Sequence, residues 1–285
     1  MKNASPTVEE IREHQREVWN KFSSGWKQWD NFVMHFLRPV GEELIQSVAL
    51  RDDYLVLDVA TGTGEPGMTA ASIVKRGKVI GTDLSEKMIA VARENAATRK
   101  ISNYTPVICD AGQLPFHDDY FDAVMARFGF MFFPDMLLCA KELCRVLKKT
   151  KKISTSVWSV PEKNTWASLI IGIVNKMAGV ESPPPDMPGL FRCAKPGFMP
   201  DIFYKSGFIN ISEKEISGTL DFENPEQYWN FMTSVAAPVV SGLSKADETM
   251  QRKIKETVLD LAVKNYSDAG RISFRWTARI ITGEK

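Results

Sequence analysis

The sequence predicts an α/β protein built on a doubly wound, mostly parallel sheet, and three observations predict it. Short apolar runs, several ending in an acidic residue, alternate with helix-length amphipathic segments. A glycine-rich turn joins the first of these runs to the helix after it. The chain has 285 residues, 44% of them hydrophobic and 25% charged, which is enough apolar material for one large core.

The elements follow in order. Thr7 and Glu10 stand at capping-box spacing after Ser5-Pro6, a helix-start signal, and Val8, Ile11, Val18, Trp19 and Phe22 then share one helical face. A second helix is expected after Pro39, through Val40, Leu44, Ile45 and Val48. Tyr54 to Val59 reads as a buried strand, followed by the glycine turn and a small-residue helix from Met68 to Lys75. Lys78 to Asp83 is the second strand and Glu86 to Thr98 its helix. Tyr104 to Asp110 and Phe121 to Ala126 are the third and fourth strands, Pro134 to Leu147 a helix, and Ile153 to Trp158 the fifth strand. Beyond it, Trp166 to Met177 reads as a helix and Ser182 to Pro200 as a proline-rich irregular stretch. Phe208 to Ile216 and Ile272 to Ile281 are expected as two closing strands, with helices at Pro225 to Met232 and Lys245 to Lys264 between them. No linker-like composition separates this part, so it reads as insertions over one sheet.

Composition narrows the function. The 36 basic and 35 acidic residues leave a formal charge of +1, so no global field recruits nucleic acid or an anionic membrane. Cys109, Cys139, Cys144 and Cys193 lack paired spacing and are expected as reduced thiols. The N-terminus carries no basic-then-apolar leader, and the apolar run Trp166–Val174 falls far short of the roughly 20 residues that span a bilayer. A cytoplasmic protein without stable membrane insertion is the expectation. No acidic or His/Cys cluster suggests a metal.

The chemistry centres on Asp58-Val-Ala-Thr-Gly62-Thr-Gly64-Glu-Pro-Gly67. Glycines let the backbone turn tightly and approach a ligand, while the helix N-terminus offers free N–H groups. Asp83 falls 25 residues after Asp58 at the end of the second strand, where a carboxylate can accept both hydroxyls of a ribose. Asp110 ends the third strand, within reach of an adenine amino group, and Asp58 can anchor an ammonium or orient the loop. Each acid alone could be a helix cap. Three strand-end acids on one sheet edge suit a nucleoside carrying a cationic amino acid, and suit a pyrophosphate poorly because carboxylates repel it.

These residues resemble the class I S-adenosylmethionine-dependent methyltransferases, and among them the ubiquinone and menaquinone biosynthesis C-methyltransferases. The likeness rests on Val56-Leu-Asp-Val-Ala-Thr-Gly-Thr-Gly64, Gly81-Thr-Asp-Leu-Ser85 with Met88, Asp110-Ala111 with Leu114-Pro-Phe116, Phe121-Asp-Ala-Val124 and Glu142-Leu-Cys-Arg-Val-Leu147. It covers Asp53 to Trp158 well and the closing strands loosely. It implies a Rossmann-like seven-stranded sheet in one domain, with residues 1–50 a helical lid, 51–160 the cofactor-binding core, 161–271 lid insertions around the sixth strand and 272–285 the closing strand. It further implies S-adenosyl-L-methionine as cofactor. Asp58 and the loop Ala60, Thr61, Gly62, Thr63, Gly64 would face its methionyl part and Asp83 would hold the ribose. Leu84 and Met88 would flank the adenine, Asp110 with Ala111 would meet its edge, and Arg127 would line the cofactor and substrate side. Ala60 stands where many relatives carry glycine, and Lys148-Lys-Thr-Lys-Lys152 replaces a Pro-Gly-Gly turn. The lysines are expected as a solvated turn that could shift the fifth strand.

Methyl transfer from a sulfonium is a direct displacement that asks mainly for alignment and a dry pocket. No catalytic base stands out among His14, His35 and His117; His117 lies in a polar loop, and His35 sits in an aromatic stretch that could face the site. Trp26, Trp29 and Phe32 either lid the sulfonium or pack the N-terminal helices. Ile170, Ile171, Met177, Met187, Phe191, Phe198, Trp229 and Met232 either line a hydrophobic, quinol- or phenol-like acceptor or form lid core. A nicotinamide-dependent oxidoreductase and a non-catalytic S-adenosylmethionine-binding protein are the alternatives. Arg127-Phe-Gly-Phe130 lacks the Asn/Asp-Pro-Pro-aromatic motif of amino-group methylation, which weakens a nucleic-acid substrate.

Overall fold

The computed structural model describes residues 6–181, 184–268 and 270–285. Ser5 of the helix-start signal and Ser182–Pro183 of the proline-rich stretch lie outside the described residues. Helix α1 (Val8–Gln28) opens on the expected box: Glu10 N donates to Thr7 Oγ1 at 3.2 Å, and Thr7 N donates to Glu10 Oε2 at 2.7 Å. After Trp29 the chain enters α2 (Asp30–Val48), so Pro39 lies inside a helix rather than before one. A proline removes a single backbone bond, and the buried stripe Val33, Phe36, Leu37, Val40, Leu44 outweighs that loss.

The core alternates as the apolar runs require. It comprises β1 (Leu55–Val59), α3 (Gly67–Ile73), β2 (Lys78–Asp83), α4 (Glu86–Thr98), β3 (Tyr104–Ile108), β4 (Phe121–Arg127), α5 (Met136–Val146) and β5 (Leu147–Trp158). There follow α6 (Thr165–Ala178), α7 (Phe198–Lys205), β6 (Ile209–Phe222), α8 (Pro225–Val235), α9 (Ala237–Leu243), α10 (Glu248–Tyr266), β7 (Ser267–Asp268) and β8 (Arg271–Glu284). The sheet runs β3-β2-β1-β4-β5-β8-β6, with the two-residue β7 paired to β8. Pairs among β1 to β5 are parallel, while β8 is antiparallel to both β5 and β6. The order reverses between β1 and β4, which puts a crevice at the C-terminal ends of the central strands.

The lysine run departs from expectation. Lys148 to Lys152 belong to β5 and form an irregularity against β4, whose pairing passes from Phe121↔Leu147 to Ala123↔Lys152. Asp122 organises it, receiving Lys148 at 2.9 Å, while Lys151 lies over the Tyr54 ring at 4.2 Å. The pairs Val124↔Ile153 to Arg127↔Ser156 then run in order, so the fifth strand keeps its register. Strand β6 runs past Ile216 to Phe222 because Gly218 lets it cross the Trp276 indole; a Cβ there would lie 2.4 Å from Trp276 Cζ2.

Aromatic packing joins the N-terminal helices to the inserted ones. Phe32 lies 5.2 Å from both Phe222 and Phe231, and Trp29 lies 5.4 Å from Phe231. The apolar surplus of the insertions enters this same core: Ile170 and Met232 are buried, and Ile171, Met177, Phe191, Phe198 and Trp229 pack against it half-buried. The four cysteines are free, and burial pushes the Cys109 thiol up to about 11, so it is no thiolate nucleophile near neutrality. No helix among the described residues is long and apolar enough to cross a membrane.

Candidate functional site

The glycine loop is built over a buried carboxylate. Asp58, fully buried in β1, accepts from Gly67 N at 3.0 Å and from the Thr61 hydroxyl, which also meets the Tyr104 hydroxyl at 2.8 Å. Gly67 must be glycine for this approach, since a Cβ would sit 2.6 Å from Asp58 Oδ2 and 2.7 Å from Tyr104 Cε2. Asp58 therefore orients the loop from below. Its second oxygen, Oδ1, is buried without a partner among the described residues. Burial pushes this carboxyl up to about 7, against the pull of Thr61.

Gly62 forms the outer side of the turn. Its φ is +56°, and nothing lies within 4 Å of where a Cβ would stand. Ala60 also takes a left-handed φ, +52°, a conformation that costs a non-glycine residue about 1–2 kcal/mol. Asp83, the last residue of β2, accepts from Gly62 N on Oδ2 and from Ser85 N on Oδ1, both at 2.9 Å. Burial pushes it up to about 6. Leu84 is half-buried, and Met88, on the first turn of α4, is 2% exposed.

The remaining sequence-assigned residues close the ring. Asp110 and Ala111 lie past the end of β3, which stops at Ile108 rather than at Asp110. Asp110 accepts from Gly112 N at 2.9 Å, and its Oδ2 lies 2.7 Å from Arg12 Nε of α1. Arg127 is the last residue of β4, and its Nη atoms approach Met34 Sδ at 3.7 and 3.8 Å. Topology thus gathers Asp58, the Ala60–Gly64 loop, Asp83, Asp110 and Arg127 at the C-terminal ends of four neighbouring strands.

Other expectations fare differently. His14, His35 and His117 are all exposed, so His35 does not face the site. Trp29 and Phe32 belong to the aromatic core with Phe231, whereas Trp26 lies 6.1 Å from Trp19, itself 5.0 Å from Phe132 just beyond β4. Helix α1 crosses the site with contacts that no local pattern announces. Ser85 Oγ donates to Asn20 Oδ1 at 2.6 Å, Asn20 donates to Glu86 at 2.8 Å, and Lys27 pairs with Glu94 at 2.8 Å. Glu65, Arg99 and Asp30 form a second unannounced group, with Arg99 paired to Glu65 and 3.6 Å from Asp30.

The donor set suits a nucleoside joined to an amino acid. Ionisable acids at the ends of β1 and β2 can take an ammonium and ribose hydroxyls, and the open face of Gly62 admits a ligand against the backbone. A pyrophosphate would meet Asp58 and Asp83 instead of free N–H groups, because Gly62 N and Gly67 N already donate to those carboxylates.

Residues 50–177 match a family described as Methyltransferase domain. Over 144 residues the chain is 33% identical to demethylmenaquinone methyltransferase of Shouchella clausii, covering 49% of this chain and 61% of that protein. The chain thus spans about three fifths of the length of this curated relative. The crystal structure of the YcgJ protein of Bacillus subtilis superposes with a TM-score of 0.58 at 20% identity, covering 87% of this chain and 98% of that one. Haemonchus contortus phosphoethanolamine N-methyltransferase 2, solved with phosphomonomethylethanolamine and S-adenosylhomocysteine, gives 0.56 at 17% identity over 99% of this chain and 60% of that one. At such identities the structures speak for the fold alone.

Proposed function

We propose, from the match of residues 50–177 to a family described as Methyltransferase domain, that the chain is a class I S-adenosylmethionine-dependent methyltransferase that methylates a small hydrophobic acceptor of the quinol or phenol class at carbon or oxygen. The observation that carries the reading is the glycine loop seated on Asp58 and tied to Asp83 through Gly62 N, inside the matched domain. The acceptor class rests on the name of the Shouchella clausii relative and on the aromatic walls beyond β4, where Phe128 stacks on Trp158 at 4.1 Å and Phe132 meets Trp19.

When bound, S-adenosylmethionine supplies the electrophilic methyl group. The chain supplies position and dryness. The Ala60–Gly64 loop with Asp58 would hold the methionyl part, Asp83 would accept the ribose hydroxyls, Leu84 and Met88 would flank the adenine and Asp110–Ala111 would meet its edge. Alignment of this kind is worth up to about 7–11 kcal/mol in intramolecular models. The half-buried Trp19, Trp26 and Phe132 neighbourhood would help to keep water from the strand ends. No histidine is placed to take a proton, so an acceptor that ionises in solution fits the site best.

The test is transfer of label from methyl-labelled S-adenosylmethionine to a panel of hydrophobic quinols, phenols and amines. Labelled quinol or phenol bears the reading out. Label on amines alone overturns the acceptor class, and no transfer despite cofactor binding favours a non-catalytic binding protein.

A further inference from the structure

A second recess lies against the last two strands of the sheet. The turn Pro161–Lys163 and the first residue of α6, Thr165, stand beside the β6–β8 pair and border with it a cavity of about 350 Å³. In the strand order β5 separates this pair from the four strands whose ends gather Asp58, Asp83, Asp110 and Arg127. The methyl transfer proposed above uses none of the residues that line it.

Its walls are fixed from within. Asn164, fully buried, donates through Nδ2 to Ser159 O at 3.1 Å and to Thr277 O at 3.0 Å, and its Oδ1 accepts from Thr277 N at 3.1 Å. These bonds clamp the turn to β8. On the floor, the rungs Glu215↔Arg279 and Ser217↔Thr277 follow one another on the same face of the sheet, and the Ser217 and Thr277 hydroxyls meet at 2.9 Å.

The charges of the lining divide into matched and unmatched. Glu215 accepts from Ser159 at 2.7 Å and from Lys163 at 2.5 Å, and lies 2.9 Å from Arg279 Nη2. Lys163 and Ser159 hold its carboxyl below the usual carboxylate range, so it stays charged and satisfied. Glu162 and Arg275 line the same cavity, both exposed, and neither makes a hydrogen bond or ion pair with any described residue. After internal pairing the recess keeps one acid and one guanidinium for a ligand. A simple anion would meet the repulsion of Glu162 and a simple cation that of Arg275, whereas a molecule with both charges matches each.

We propose that this recess binds a small zwitterion of the α-amino-acid class, its carboxylate taken by Arg275 and its ammonium by Glu162, over the Ser217 and Thr277 hydroxyls. A guanidinium can give a carboxylate two parallel N–H bonds. The volume stands at the small end of ligand pockets, which suits a free amino acid with a short side chain.

The test is calorimetric titration of the full chain with L-alanine and with propionate and L-alaninamide, each of which keeps only one of the two charges. L-alanine should bind at least tenfold more tightly than either. Arg275→Gln and Glu162→Gln should each weaken L-alanine at least fivefold at an unchanged melting temperature, while Glu162→Gln leaves propionate no weaker. Propionate or L-alaninamide binding as tightly as L-alanine overturns the zwitterion. Wild-type affinity in both variants, or no binding of L-alanine at millimolar concentration, overturns the site. If Arg275→Gln does not fold, Glu162→Gln alone decides by the same criterion.

Discussion

Arg12 of the first helix holds its Nε 2.7 Å from Oδ2 of Asp110, the acid that follows the third strand. That pair fastens one end of α1 beside the end of β3. Asn20 fastens its middle to Ser85, whose backbone N–H donates to Asp83, and Asp30 beyond its end reaches the glycine loop. The α1–α2 run therefore touches Asp110, Ser85 beside Asp83, and the glycine loop in turn. Arg12→Ala should speed both association and release of S-adenosylhomocysteine several-fold, with a smaller change in affinity, as stopped-flow fluorescence of the tryptophans would show. Unchanged rates would mean that α1 does not gate the site.

Asp83→Ala should weaken S-adenosylhomocysteine at least tenfold while the circular dichroism of the fold is kept. It removes the acceptor proposed for the ribose and the anchor of Gly62 N. Unchanged affinity in a folded variant would sink the ribose assignment.

Affinity should also depend on pH with a fixed sign. Burial raises Asp83 from 3.8 to about 6 and Asp58 from 3.8 to about 7. Carboxyls raised by folding contribute stability that is whole below about pH 4 and lost as pH rises through 6 and 7. Ligand hydroxyls and an ammonium want the charged forms, so S-adenosylhomocysteine should bind roughly tenfold more tightly at pH 8 than at pH 5, following the ionised fraction of a group titrating near 6. Calorimetry in two buffers of different ionisation enthalpy should show proton release on binding near pH 6. A flat profile would contradict the acids' role.

Gly67→Ala and Gly62→Ala should separate packing from access. The first drives a Cβ to 2.6 Å from Asp58 Oδ2 and should cost about 1–3 kcal/mol of stability by overpacking. The second meets open space and carries only the left-handed backbone cost of about 1–2 kcal/mol, yet it should weaken cofactor binding by narrowing the loop's open face. Denaturant melts beside titrations check both; a Gly62→Ala chain with wild-type affinity would place the ligand elsewhere.

Trp29→Ala should act on stability, by about 2 kcal/mol or more, with specific activity of the folded fraction retained, because the ring packs on Phe32 and Phe231. Loss of activity at unchanged melting temperature would restore it to the lid.

Much of this architecture is legible in the sequence. Strands β1 to β4 and the acids beside them stand out because buried parallel strands read as short apolar runs and Asp58 and Asp83 interrupt them at fixed places. The Lys148–Lys152 run misleads, since its partners Asp122 and Tyr54 lie 26 or more residues away. Pro39 misleads too, because a buried stripe on both sides overrides a local break. Asp30, Arg99 and Glu65 are invisible for the same reason: their meaning comes from a contact between α2, the end of α4 and the glycine turn, and no spacing records it.

The most direct test of the central claim is thermal denaturation with S-adenosylhomocysteine and, separately, NADH, each at about 100 times a plausible dissociation constant. A ligand of the native state at that excess adds about 2.7 kcal/mol, a shift of several degrees. S-adenosylhomocysteine should produce that shift and NADH none. A shift with NADH alone would contradict it and return the glycine loop to a pyrophosphate.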